Sequence, residues 1–424
     1  MVRQARLIAV VVVFVIAVVM AGCGGGPGNI EGPDSQRGAA TNEEATAPEG
    51  DRPTAETAQE PAALDAKVVS PGQAYVPAGF GEGSLWTTVS DPSDPSAACD
   101  DVNVKTVGSA SASSEALCAA EPAKTLLKRV DPRTGEVVAE IPLERRLSNL
   151  DLFTQVAFGA GSVWVSSGYY DMGPAMERQP GDVVLRIDPR TNQIVDRIPV
   201  APPSSLGFGH GSVWATSAGH GTVSRIDPQT GEVVAKIEVG RGAVDIAADE
   251  SSGAMWVASV FLPKDYGGYD LPEYSEDRNL TRVDPTTNRV VAEIPIRAGS
   301  PTGGAQNVAV GEGAVWVQSG DGKLFKVDPA TNEVIAMVSV GDSTCVGPTC
   351  VGPSSALAVY GGAVWAMVQA SSSPGTRLVR VDPRTEQVVA EDIGPISKVG
   401  IGFVAAGGGY VWFSSGEGLA RVSP

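Results

Sequence analysis

The chain has 424 residues and a formal net charge of -18. Such acidity excludes the phosphate-neutralising surface that nucleic-acid binding needs, and it equally excludes electrostatic adhesion to anionic lipid headgroups. Length alone suggests two or three domains, but a repeat architecture makes one closed unit of most of a chain this long.

In chain order, Arg3 and Arg6 precede an apolar run from Leu7 to Met20, and Met20-Ala21-Gly22-Cys23 follows. The run is too short to span a bilayer comfortably, so residues 1–22 read as a signal peptide. The small residues before Cys23 resemble the bacterial lipobox, which implies a diacylated, palmitate-bearing Cys23 as the mature N-terminus. Two or three acyl chains exceed what stable anchoring requires. The expected location is the extracytoplasmic face of the cell membrane, with the lipid on Cys23 as the membrane contact.

Residues 23–64 combine that cysteine with a stretch rich in Gly, Pro, Ala, Thr and Glu and free of aromatic residues. Such a composition cannot bury enough surface to fold, so it reads as an acidic linker with a mean reach of about 35 Å.

From residue 65 to residue 424 two patterns alternate. The first is Gly-x-Gly, a small residue, an aliphatic residue and Trp, as in Gly161-Ser162-Val163-Trp164. Every tryptophan belongs to it, Trp86, Trp164, Trp214, Trp256, Trp316, Trp365 and Trp412, although Asp249 to Gly253 replace the usual tight turn before Trp256. One tryptophan at the same point of each copy is what packing between repeats demands. The second pattern is an alternating strand ending in Arg/Lys-Val/Ile-Asp-Pro-x-Thr, with the aspartates at Asp131, Asp188, Asp227, Asp284, Asp328 and Asp382. Proline after aspartate fixes φ for a type I turn, and the Gly or Asn that follows tolerates positive φ, which is hairpin chemistry. Glu386 alone departs from that rule.

Each copy therefore supplies four short strands, a to d: a before the Gly-x-Gly turn, b through Trp, c ending at Asp-Pro and d after it. Seven copies predict an all-β, seven-bladed β-propeller of four-stranded antiparallel blades. The seventh copy stops where strand c ends, and Ala66–Ser70 lies where a preceding d strand would, so the N-terminal strand is predicted to complete the last blade and close the ring. These motifs resemble the YVTN-repeat and streptogramin (virginiamycin B) lyase-like propellers of bacteria over about residues 65 to 424. In its lyase branch the resemblance implies a histidine base with carboxylate-held magnesium at the channel mouth, an arrangement without a residue-by-residue counterpart here.

Long insertions fall at residues 90–123, 168–181, 260–278, 341–354 and 371–375, all on the rim where b-to-c and d-to-a connections emerge. Loops on a rigid frame vary without unfolding it, so this rim is the predicted contact face for an unidentified small molecule or protein. Tyr169, Tyr170, Tyr266 and Tyr269 sit there among carboxylates, a composition suited to a cationic or polar neutral ligand or a basic protein patch. Cys99, Cys118, Cys345 and Cys350 lie there too. Three pairings are open to them, and Cys99 with Cys118 and Cys345 with Cys350 is preferred because each pair shares one loop; the longer loop gains about 3 kcal/mol from closure. Zinc is the rival reading, without C-x-x-C spacing to support it.

The inner strands begin on the same rim at Pro77, Gln155, Ser205, Asp245, Asn307, Ala356 and Phe403. The four polar members either form one side of a pocket at the channel mouth or hydrate the channel. His210 reads as an exposed residue of an a-to-b turn, and His220 as a solvated turn residue on the insertion-rich rim. Two functional readings result. The preferred one is a ligand- or protein-binding module. The other is a metal-assisted lyase or hydrolase using Gln155, His220, Asp245 and Asn307, with Mg or Ca as its ion. No metal-spaced His/Cys cluster, nucleophile elbow or phosphate loop is legible.

Overall fold

A computed structural model places Gln59–Pro424 in one compact unit. It describes residues 61–71, 76–90, 123–147, 154–167, 182–260, 279–296, 304–341, 356–369, 376–392, 403–415 and 418–424. The signal peptide, Cys23, the four further cysteines and the four loop tyrosines lie outside the described residues.

Seven antiparallel sheets follow one another along the chain, each in the order a-b-c-d. Blade three shows the plan: Ser205–Gly209, Ser212–Ser217, Thr222–Ile226 and Val233–Glu238 pair in sequence. Its strand b is buried throughout, whereas Val233–Glu238 is largely exposed, as an outermost strand must be. Outside blade four, the a-to-b turns are two-residue loops with positive φ at both positions, such as His210 (49°) and Gly211 (67°). That geometry matches the right-handed twist of the flanking strands.

At the other hairpin, the aspartate caps its own turn. Its carboxylate accepts the backbone N–H two residues on in all six copies, at 2.7 to 2.8 Å. These bonds hold the carboxyls of Asp131, Asp284 and Asp382 below the usual range, and Arg190 does the same for Asp188. Glu386 adopts φ 60°, the left-handed position that Asn192, Asn288 and Asn332 fill elsewhere.

Ring closure comes from Lys67–Pro71, which pairs antiparallel with Gly418–Val422 as strand d of blade seven. Upstream, Ala62–Ala63 pairs parallel with strand d of blade six, giving that blade a fifth strand inside the stretch whose composition reads as linker. A two-residue strand carries no periodicity, so composition gives no sign of it.

All seven indoles are fully buried. Each packs into a cluster shared with the following blade: Trp86 meets Val156 and Val163 of blade two, and Trp412 meets Leu85 and Val130 of blade one. The approach is close, since a Cβ on Gly159 would stand 2.2 Å from the Phe208 ring of the next blade.

A basic side chain from strand c covers every indole: Arg129, Arg186, Arg225, Arg282, Lys326, Arg380 and Arg421 lie 5.1 to 5.6 Å from their ring centroids. Five of the seven continue outward to the Asp-Pro turn of the next blade. Arg129, Arg225, Arg282, Lys326 and Arg421 donate to the carbonyls of Pro189, Pro285, Pro329, Pro383 and Pro132. Three of them also reach the positive-φ asparagine of that turn, Arg282 to Asn332 at 2.9 Å for instance. At the fifth joint both partners change together, and Lys326 Nζ lies 3.0 Å from Glu386 Oε1. The odd glutamate therefore answers the odd lysine. A double-mutant cycle of Lys326→Ala and Glu386→Ala is expected to give a coupling of about 0.5–1 kcal/mol in urea denaturation, and additivity would mean that the two changes are unrelated.

Candidate functional site

The inner strands of blades three, four and five converge on one carboxylate. Asp245 is buried on strand a of blade four, where the pairing with strand b shifts register after Ala243. Its Oδ1 accepts Ser205 Oγ of blade three at 3.0 Å and its own neighbour's amide, Ile246 N, at 2.9 Å. Its Oδ2 accepts Val308 N of blade five at 2.9 Å, and the Asn307 side chain donates as well. Burial pushes the carboxyl up to about 7 against the pull of these four donors. Three of the four polar residues at the inner-strand starts thus bond one another across two joints. The fourth, Gln155, is buried in blade two, and its amide donates to Ser166 Oγ at 2.8 Å.

His220 stands apart from this network. Its Nδ1 lies 3.3 Å from Ser217 Oγ within the same turn. Burial and the nearby Lys236 hold the imidazole below its ordinary value, so the ring is neutral at pH 7. Ser217 is 2 % exposed, which closes its hydroxyl to any substrate and makes the contact a local turn bond. Among the described residues, no group of three or more His, Cys, Asp or Glu side chains stands close enough to hold a metal ion.

His210 differs from its sequence reading. Positive φ turns its ring toward blade four, where Nε2 lies 3.1 Å from Ala254 O and Nδ1 lies 3.3 Å from Glu250 Oε2. Its amide donates to Glu250 Oε1 at 2.7 Å. The side chain bridges two blades because blade four has a four-residue turn between Asp249 and Ala254, long enough to bring Glu250 alongside.

Nothing in this inner network leaves an acceptor pair free on Asp245, so its chemistry is that of a joint between strands. The insertions lie elsewhere, and the described strand ends that flank them share one side of the ring. Ser90 with Ala123, Ser167 with Asp182, Val260 with Asn279, Gly341 with Ala356, and Gln369 with Thr376 all lie on the rim where strand a begins. The opposite rim is built entirely from short turns in blades two to five. Sequence reasoning found this asymmetry from segment lengths. It missed the basic side chains over the indoles, although their signal, Arg or Lys two residues before each aspartate, stood in the repeat.

No family model matches the sequence, and no curated protein matches it. Solved structures do. One described as "Structure of U3-55K" superimposes with a TM-score of 0.54 at 10 % identity, covering 86 % of this chain and all of that one. The chain has the β-propeller fold. In total 1386 chains of known structure share a likeness to it, and a scaffold that widespread does not single out one activity.

Proposed function

We propose that this chain is a membrane-tethered recognition module, held by lipidated Cys23 outside the cytoplasm, which binds a ligand or partner protein through its insertion-rich rim. The observation that carries the proposal is the asymmetry of the ring. Every long insertion departs from one rim of a frame whose own inner polar residues bond one another, so the frame supplies rigidity and the rim supplies variety. The sequence likeness to YVTN-repeat propellers agrees with an extracytoplasmic scaffold. The metal-assisted lyase or hydrolase reading lacks comparable support, because Asp245 and His220 share no partner and both oxygens of Asp245 already accept hydrogen bonds.

The test is a thermal-shift panel of small cations, divalent metals, glycans and cyclic peptides. The whole chain is compared with a variant in which residues 168–181 and 261–278 are each replaced by a short Asn-Gly turn. A ligand that binds the folded form raises the melting temperature, by about 2.7 kcal/mol of stabilisation at a hundred times its dissociation constant. The shift is expected to vanish in the variant while its unliganded melting temperature stays the same. A shift that survives both replacements would move the site away from those two loops. In the same experiment Cys23→Ala is expected to leave the membrane fraction.

A further inference from the structure

Blade seven is the one blade whose third and fourth strands are not consecutive in sequence. Strand c is Gly418–Val422 and strand d is Lys67–Pro71, so no Asp-Pro turn joins them. Arg380 of blade six covers Trp365 at 5.5 Å as its counterparts do, but it has no such turn to reach, and its Nε is buried without a partner among the described residues. At the joint between blades two and three, Arg186 bonds Ser162 of its own blade. Blade three is nevertheless continuous from strand c to strand d, so loosening there cannot unzip a blade. At the joint between blades six and seven it can.

The N-terminal segment crosses this joint. Ala62 and Ala63 lie opposite Ala390 and Glu391 on the outer strand of blade six, and Leu64 N donates to Glu391 O at 3.2 Å. Leu64, Ala66 and Val68 then pack against the cluster that Trp365 shares with Val404 and Val411 of blade seven. The attachment point is itself braced: Glu391 Oε2 lies 3.0 Å from Arg377 Nη1, and Arg377 Nη2 donates to Val340 O in the connection from blade five.

We propose that the ring opens at the seam between blades six and seven, and that Ala62–Leu64 is the strap that holds this seam shut. Cation-to-turn contacts do that work at five other joints. Here a segment from upstream of the closing strand replaces them, so whatever pulls on or displaces residues before 62 acts first on the strap, then on the closing strand, and only afterwards on the rest of the ring.

The test is amide hydrogen exchange on the full chain. Leu64→Pro removes the donor to Glu391, and a milder Ala62→Gly/Ala63→Gly pair weakens the strap by raising the entropy of the free segment while keeping every donor. Exchange is expected to accelerate by about tenfold at Ala390, Glu391, Leu419 and Ala420 and to stay within about twofold at Ala215 and Val257 of blades three and four. Acceleration spread evenly over all blades, or none at blades six and seven in either variant, would overturn the proposal.

Discussion

Replacing Trp214 by alanine is expected to destabilise the protein by about 3–5 kcal/mol, the range seen when a fully buried indole is truncated. The indole fills the joint between blades three and four against Ala243, Ile246 and Met255. It also donates Nε1–H to Gly209 O at 3.0 Å and supports the Arg225 guanidinium at 5.1 Å. Removal therefore opens a cavity, orphans a carbonyl at the end of strand a, and frees the arginine that reaches Pro285 and Asn288. Trp214→Phe keeps most of the volume and loses the N–H, so it should cost only about 1–2 kcal/mol. Equilibrium denaturation of the two variants checks this, and equal losses would mean that filling the joint is unimportant.

The second large effect concerns pH. The native pKa of Asp245, about 7, lies above the ordinary value of 3.8. Between these values the folded chain holds a proton that the unfolded chain has released. Stability from this group is thus complete below about pH 4 and falls as pH rises, by about 1.4 kcal/mol per unit, until it is lost above about pH 7. The turn aspartates work in the other direction. Asp131, Asp188, Asp284 and Asp382 have lowered values, so their contribution is present above about pH 4 and is lost as pH falls through their native values. The melting temperature should accordingly peak near pH 5 and decline toward pH 8. Asp245→Asn cannot ionise, so its profile should lose the decline from pH 5 to 8 and keep only the rise toward about pH 6.5 that His220 contributes, its lowered value favouring the neutral ring in the folded chain. Its amide N–H2 must face a backbone N–H, which makes it less stable than the parent by about 1–3 kcal/mol at pH 5, with the gap closing as pH rises. Parallel profiles for the two proteins would show that Asp245 does not carry the pH dependence.

Blade count, hairpin chemistry and ring closure were legible because each is local or strictly periodic. Seven tryptophans number the blades, Asp-Pro marks each c-to-d turn, and Lys67–Pro71 stands within a residue of the segment expected to close the ring. The bonds among Ser205, Asp245 and Val308 join residues 40 and 63 positions apart, so no single window of sequence contains them. For the same reason Glu386 reads as an irregular turn residue until Lys326, sixty residues earlier, is seen beside it. The candidate site was legible in part: the inner-strand positions were identified, but their mutual bonding was not. Strand alternation shows which face a residue occupies, and it does not show which residue of the neighbouring blade stands opposite.

The five bonds from Arg or Lys to the following Asp-Pro turn all run in one direction around the ring, from a blade to its successor. The unit that has to fit together in this protein is therefore not the sheet alone. It runs from strand c of one blade to the turn of the next, and it is this staggered module whose two ends must match. A duplicated or transplanted blade brings with it a hand fitted to one neighbour and a grip fitted to another. Lys326 with Glu386 is such a match: the residue that suits the lysine stands in the turn of the next blade, so fit is decided across the junctions as well as within the sheets.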